Sequence, residues 1–368
     1  MESLGVTRQE FWRGRRVFLT GHTGFKGSWL ALWLQQLGAE VTGFALAPPT
    51  QPNLFETANV ARAMRSIIGD IRDAEFLRQS LREARPEIVL HLAAQPIVRQ
   101  SYVNPVETYA TNVMGLVHLF EAIRHVGGVT ACVNVTSDKC YENKEWVYGY
   151  RESDAMGGYD PYSSSKGCAE LVTSAYRRSF FSYADASTRL ALASARAGNV
   201  IGGGDWAADR LVPDILRALS ESRPALIRNP SSIRPWQHVL EPLSGYLLLA
   251  EKLAGAEGQA FAEGWNFGPS AEDTRPVEWI VEKIVQAWGN SAAWKRDSVT
   301  GPHEARSLSL DCLKANRELG WRPVWSIGRA VEKIIDWHRA YLAGADMREE
   351  TLRQINDYTK EAALGGAS

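Results

Sequence analysis

Arg16-Val17-Phe18-Leu19-Thr20 is a short apolar run, and Gly21-His22-Thr23-Gly24-Phe25-Lys26-Gly27 follows it without a break. Ser28 to Leu37 is then apolar with a helical period and ends at Gly38, a residue suited to closing a helix. Strand, glycine loop and helix in this order place a phosphate at a helix N-terminus. The glycines permit a tight turn, close backbone approach to a pyrophosphate, and close packing of helix on strand. The spacing is G-x-x-G-x-x-G, and a glycine triplet alone is a weak signal. Its two flanks favour a dinucleotide site over a plain turn.

Strands and helices alternate from there. Glu40 to Ala45 reads as a second strand, but it runs into Leu46-Ala47-Pro48-Pro49 without the acidic residue that usually binds an adenosine ribose. NAD against NADP therefore stays open, and His22 and Lys26 add positive charge without separating the two. Ser66 to Asp73 reads as a third strand and polar turn; Asp70 either meets an adenine amino group or caps the helix from Asp73 to Ala84. Glu87 to Leu92 is a fourth strand, with His91 a structural residue within it, and it opens into Ala93-Ala94-Gln95. A helix over about Pro105 to Val126 holds Thr111 and Asn112, and Ala131 to Thr136 is the fifth strand. This pattern predicts an α/β fold of Rossmann type, a doubly wound parallel sheet with helices on both faces.

In such sheets ligands sit outside the carboxyl ends of the strands. The Gly21–Gly27 loop, Ala93-Ala94-Gln95 and Ser137-Asp138-Lys139 all lie at such ends and converge on one crevice. Tyr162 and Lys166 stand beside it, four residues apart and so on one face of a helix. A lysine ammonium beside a phenol favours the phenolate, which makes Tyr162 a candidate proton acceptor. Taken alone, the pair reads as an exposed Tyr/Lys pair on a helix; the case for chemistry comes from what the rest of the chain places near it.

A sixth strand, Ala191 to Arg196, leads into the glycine-rich Gly198 to Trp206. Alternation then loosens, with helices expected over Arg210–Ser220, Glu241–Leu253, Val277–Trp288 and Ile327–Tyr341, a strand-like segment at Ile233–Val239, a strand at Trp265–Phe267, and fraying beyond Glu361. We divide the chain into a dinucleotide-binding domain over 1–197 and a mostly substrate-binding lobe over 198–368, with some segments returning to the first domain.

With 41 basic and 42 acidic residues the net charge is −1, so no basic surplus argues for nucleic acid or an anionic membrane. Cys132, Cys140, Cys168 and Cys312 form no C-x-x-C pair and read as reduced thiols of a cytoplasmic protein. The seven histidines show no metal-ligand spacing, so no metal is expected. Met1 to Arg16 lacks the apolar core of a signal peptide, and no apolar run approaches the ~20 residues of a membrane helix.

Assembled in order, Thr20-Gly21-x-x-Gly24-Phe25-x-Gly27, Asp70, His91-Leu92-Ala93-Ala94, Asn112, Ser137, Tyr162-x-x-x-Lys166 and Asn199 resemble the extended short-chain dehydrogenase/reductase family of nucleotide-sugar enzymes. The acidic Asp138 after Ser137 is similar to the 4,6-dehydratases of that family rather than its epimerases. Lys139, where dTDP-sugar dehydratases carry glutamate, implies a CDP-sugar. The resemblance implies a tightly held NAD, regenerated each turnover, bound by Gly21, His22, Thr23, Gly24, Phe25, Lys26, Gly27, Asp70, Ile71, Leu92, Ala93, Ala94, Thr111, Tyr162 and Lys166. It implies substrate contacts from Gln95, Ser137, Asn199, Arg210, Arg234, Asn266 and Arg306, the arginines suiting phosphate oxygens.

The chemistry the resemblance implies runs through Tyr162 and Lys166 at the C4 hydroxyl, with Ser137 on the C4 oxygen. Asp138 is then the general acid at C6, and Lys139 is the base at C5, directly or through water. Asp138 with Lys139 has a plainer reading as a surface ion pair, Asn266 as a turn cap, and Arg234 or Arg306 as surface arginines. The resemblance also implies a homodimer, or a dimer of dimers, through helices over Pro105–Val126 and Pro161–Phe181, and a place in deoxysugar supply for a bacterial surface polysaccharide such as the O-antigen of a lipopolysaccharide. Rival readings are a nucleotide-sugar 4-epimerase, against which Asp138 argues, a dehydratase acting on another nucleotide-glucose, and a non-catalytic dinucleotide-binding regulator, against which the complete Ser/Tyr/Lys set argues.

Overall fold

A computed structural model describes residues 7–182, 190–289, 292–297 and 307–365. Seven parallel strands form the central sheet: β1 (Arg16–Thr20), β2 (Glu40–Ala45), β3 (Arg65–Ile68), β4 (Ile88–His91), β5 (Ala131–Val135), β6 (Ala191–Ala197) and β7 (Gly264–Phe267). Their spatial order is β7-β6-β5-β4-β1-β2-β3, so the order reverses between β1 and β4. β4, β5 and β6 are buried along their whole length. That is why they read as unbroken runs of small and apolar residues, since both faces of a parallel sheet are covered. The predicted α/β doubly wound fold is what the chain adopts.

One face of the sheet carries α1 (Phe25–Gln36), with Trp29, Leu30, Trp33 and Leu34 buried beneath it. The other carries α2 (Ala74–Ala84), whose Leu77 and Leu81 pack with Phe18, Phe44 and Val89. The expected helix over Pro105–Val126 is present as α3 (Pro105–Tyr109) and α4 (Gly115–Val126), joined by a wider π-type turn at Ala110–Met114. Asn104 caps it through Glu107 N, and Pro105 sits in the first turn, where its missing N–H costs nothing. α5 (Pro161–Tyr176) begins the same way: the Asp160 carboxylate accepts from Ser163 N at 2.9 Å and Pro161 follows at once.

After β6 come α6 (Leu211–Ser220), α7 (Leu240–Leu253), α8 (Val277–Trp288) and α9 (Ile327–Leu342), and α6, α8 and α9 build a second cluster. Val212, Ile215, Leu216, Val281, Ile284 and Ile334 form a core of their own. α7 instead lies under the sheet, with Tyr246 and Leu247 in the α1-side core. The strand-like stretch at Ile233–Val239 splits in two. Ile233–Pro235 pairs with Thr274–Pro276, and Gln237–His238 pairs with Val200–Ile201.

Sequence patterning missed α10 (Met347–Gly365); the expected fraying beyond Glu361 does not hold over residues 362–365, which are helical, and residues 366–368 lie outside the described residues. Tyr358 is buried and donates to Glu241 at 2.7 Å, while Glu361 accepts from Trp325 Nε1 at 2.8 Å. These contacts hold the end of the helix on the core. Among the described residues no helix is long and apolar enough to cross a membrane.

Candidate active site

The carboxyl ends of β1, β4 and β5 open into one cleft of about 1600 Å³, walled on its far side by residues from Ala197 to Arg234. The glycine loop forms its floor. Gly21 turns at φ 77°, and a Cβ there would meet Ala93 N at 2.8 Å. A Cβ on Gly27 would stand 2.0 Å from Gly21 O, so α1 is seated directly on the loop. Gly24 differs: its Cβ would meet only Gly21 O, at 3.4 Å, and it precedes a helix start that has no side-chain cap. Open space above an uncapped helix N-terminus fits a dinucleotide diphosphate. Gly27→Ala is expected to cost about 1–3 kcal/mol of stability and to weaken dinucleotide binding at least ~10-fold. Denaturant unfolding and a fluorescence titration with dinucleotide read the two effects.

Gly21, Thr23, Gly24, Phe25, Lys26 and Gly27 line the cleft; His22 does not. Its ring turns behind the loop, with Nε2 2.7 Å from Ser66 Oγ and the ring against Phe55. Burial lowers it to about 4, so it carries no charge at neutral pH. Lys26 is half-buried with Nζ 3.2 Å from Tyr246 OH, and desolvation, then Lys166 and Arg210, bring it down to about 7 against the pull of Asp138. The positive charge expected from these two residues is thus absent at one and partial at the other.

Asp70 and Ile71 line the cleft, as do Leu92, Ala93, Ala94 and Thr111. Asp70 is not the helix cap. That role belongs to Asp73, which accepts from Phe76 N at 3.0 Å, while Asp70 pairs with Arg72 at 2.5 Å. Two amides expected at the substrate lie elsewhere. Gln95 donates to Thr108 Oγ1 at 2.9 Å and accepts from Ile97 N at 2.5 Å, which folds its side chain onto its own loop. Asn266 is wholly buried between Tyr141 OH, Tyr150 O and Asp311 O, and it is neither at the cleft nor a simple turn cap. Asn199, Arg210 and Arg234 do line the cleft; Arg210 pairs with Asp205 at 2.8 Å and Arg234 donates to Ile233 O at 2.8 Å. Arg306 lies outside the described residues.

Ser137, Asp138, Lys139, Tyr162 and Lys166 meet at the centre. Ser137 Oγ donates to Asp138 Oδ1 at 2.9 Å and accepts from Lys139 N at 3.2 Å. Asp138 is 2% exposed and its Oδ2 has no partner, so this is a buried carboxyl and not the surface ion pair. Burial raises it against the opposing pull of Lys139, Ser137 and Arg234, so it keeps a proton to higher pH than an ordinary aspartate. Tyr162 is anchored by its own N–H to Ser101 Oγ at 3.1 Å. The ammonium groups of Lys139 and Lys166 each lie 6.0 Å from its ring centre.

The expected acidification of Tyr162 by Lys166 does not prevail in this structure. Burial pushes the phenol up to about 12, and the contacts that pull it down are Ser137 and Arg210. Burial also lowers Lys166 to about 8, opposed by Cys140 and Glu170. Lys166 donates to Val135 O at 3.5 Å. Sequence reasoning missed Glu170 and Tyr246. Glu170 carried a signal, since it follows Lys166 at the same four-residue spacing that links Tyr162 to Lys166.

Residues 18–334 match the family model for GDP-mannose 4,6 dehydratase. The chain belongs to this family. Among its curated relatives, the CDP-glucose 4,6-dehydratase of Salmonella typhimurium is 59% identical over 351 residues, which cover 95% of this chain and 98% of that protein. The dTDP-glucose 4,6-dehydratase of Streptomyces antibioticus is 27% identical over 284 residues, 75% of this chain and 77% of that one. The crystal structure of the dTDP-glucose 4,6-dehydratase DesIV from Streptomyces venezuelae, with NAD and TYD bound, superposes with a TM-score of 0.76 at 23% identity, covering 90% of this chain and 99% of that one. The GDP-mannose 4,6 dehydratase family thus supplies the fold in which this cleft sits.

Proposed function

We propose that this protein converts CDP-D-glucose to CDP-4-dehydro-6-deoxy-D-glucose and water. The observation that carries the reading is the 59% identity to the Salmonella typhimurium enzyme over 95% of the chain. The buried, proton-retaining Asp138 beside Ser137 and Tyr162 supports it, since loss of water needs a proton donor that an epimerisation does not.

NAD, when bound, supplies the reversible two-electron acceptor that a dehydration with no net redox change requires. Gly21, Thr23, Gly24, Lys26 and Gly27 would hold it at the diphosphate, with Asp70 and Ile71 toward the adenine and Leu92, Ala93, Ala94 and Thr111 along its length. Tyr162 takes the C4 hydroxyl proton, Ser137 holds the C4 oxygen, and Lys166 balances charge on the phenol. Once C4 is a ketone, C5–H is acidic and Lys139, or a water it holds, removes that proton. Asp138 protonates the departing C6 oxygen, and the hydride taken from C4 returns to C6 while a proton is given back to C5, which leaves the 6-deoxy ketone with no net redox change. Asn199, Arg210 and Arg234 face the substrate's diphosphate. Residues 1–197 carry the cofactor half of this work and residues 198–368 most of the substrate half. The working form is a homodimer or a dimer of dimers built through α3, α4 and α5, in a cytoplasmic route to deoxysugars for a surface polysaccharide such as the O-antigen of a lipopolysaccharide.

Incubation with CDP-, UDP-, GDP- and dTDP-glucose, with no added reductant, tests this. The expected product is a CDP-sugar lighter by one water. A product of unchanged mass with inverted C4 would overturn dehydration, and water loss from another nucleotide sugar alone would overturn the CDP assignment.

A further inference from the structure

Glu170 lies one turn beyond Lys166 on α5 and is 5% exposed. One of its carboxylate oxygens accepts from Thr136 Oγ1, on the residue that joins β5 to Ser137. The other accepts from Ser194 Oγ at 2.7 Å and from Arg196 Nη2 at 2.8 Å, both on β6. Arg196 is buried too, and its Nη1 continues to Tyr141 OH at 2.7 Å and Glu152 O at 3.1 Å. One carboxylate therefore pins three segments together: the helix bearing Tyr162 and Lys166, the strand end bearing Ser137 and Asp138, and β6.

We propose that Glu170 is a positioning residue, which fixes the Ser137-Asp138 strand end against the helix that presents Tyr162 and Lys166. The inference rests on the dehydratase reading of that cluster. A purely structural ion pair with Arg196 needs only one of the two oxygens. The Thr136 bond uses the second, and it acts on the residue next to the cluster. Thr136 N already donates to Ala195 O at 2.9 Å, so the β5–β6 ladder is complete without its hydroxyl. The hydroxyl contact adds a link between strand and helix that the sheet does not supply.

The same carboxylate favours the charged form of Lys166, which also faces Cys140, His91 and Lys26. Around Glu170 itself stand Arg196, Arg177, Cys140 and Lys166. Removal of its charge lets the Lys166 ammonium discharge at lower pH.

Glu170→Gln and Thr136→Val, each as full-length protein with NAD, separate the two effects. Glu170→Gln is expected to lower kcat about 10- to 100-fold with KM for CDP-glucose nearly unchanged, and to move the alkaline limb of kcat about one pH unit lower. Thr136→Val keeps the charge, so it is expected to lower kcat while the alkaline limb stays in place. A folded Glu170→Gln protein with wild-type kcat and pH profile overturns the proposal. If that variant does not fold, Thr136→Val decides: kcat at the wild-type level overturns it, and a fall at constant KM supports it. Failure of the wild-type protein to dehydrate any nucleotide sugar would instead remove the dehydratase reading, and C4 oxidation followed by reduced-cofactor absorbance would still compare the variants.

Discussion

Asp138→Asn is expected to cut formation of the dehydrated sugar about a thousandfold while C4 oxidation continues, so that reduced-cofactor absorbance accumulates. The carboxamide has the volume of the carboxyl and can still accept the Ser137 hydroxyl through its oxygen, as Asp138 Oδ1 does at 2.9 Å. It has no proton to give to a departing hydroxyl. The native group is suited to give one, because burial raises Asp138 above the usual carboxylate range. A raised pKa favours the protonated acid, so dehydration driven by Asp138 declines as pH climbs through it. Single-turnover absorbance and product mass measure the two steps separately. Wild-type dehydration in the variant would remove Asp138 from the reaction.

Tyr162→Phe should abolish the earlier step. A loss of about a thousandfold or more in C4 oxidation is expected, because phenylalanine removes the phenol oxygen that takes the hydroxyl proton in this reading. In the native protein burial holds the phenol near 12, so the phenolate is the minor form at neutral pH. Its share grows as pH rises, so the oxidation rate rises too, until Lys166 begins to discharge at about 8. The phenylalanine variant should show a flat profile over the same range. Retention of a rising limb there would assign the proton to a different residue. Because Ser101 binds the Tyr162 backbone and not its ring, the substitution leaves the helix start intact.

Much of this cluster could be read from the chain because local chemistry determines it. The glycine loop, the Asp160-Pro161 helix start and the buried strands all follow from residue type and spacing. Misplacements came where residue type leaves direction open. Gln95 and Asn266 are amides, and an amide satisfies a loop backbone as readily as a ligand. His22 stands among residues that face the cleft, yet a single turn of the loop sends its ring to Ser66. Tyr162 and Lys166 have the predicted helical spacing, but sequence spacing carries no information on burial, and burial decides their acidity. Glu170 meets partners more than twenty residues away, on strands whose register no local pattern predicts. α10 escaped notice because its polar face dominates and only a few side chains, among them Ile355 and Tyr358, touch the core.

β7 comes from the far half of the chain yet pairs with β6 over Gly264–Phe267. A truncation after residue 197 would strip β6 of that neighbour and leave an alanine-rich edge with open backbone donors and acceptors, a template for aggregation. The two halves are interleaved and cannot be exchanged as cassettes at a single junction. A chimaera built to accept a different nucleotide base needs at least two crossover points, one on each side of residues 264–267, so that the recipient keeps its own seventh strand.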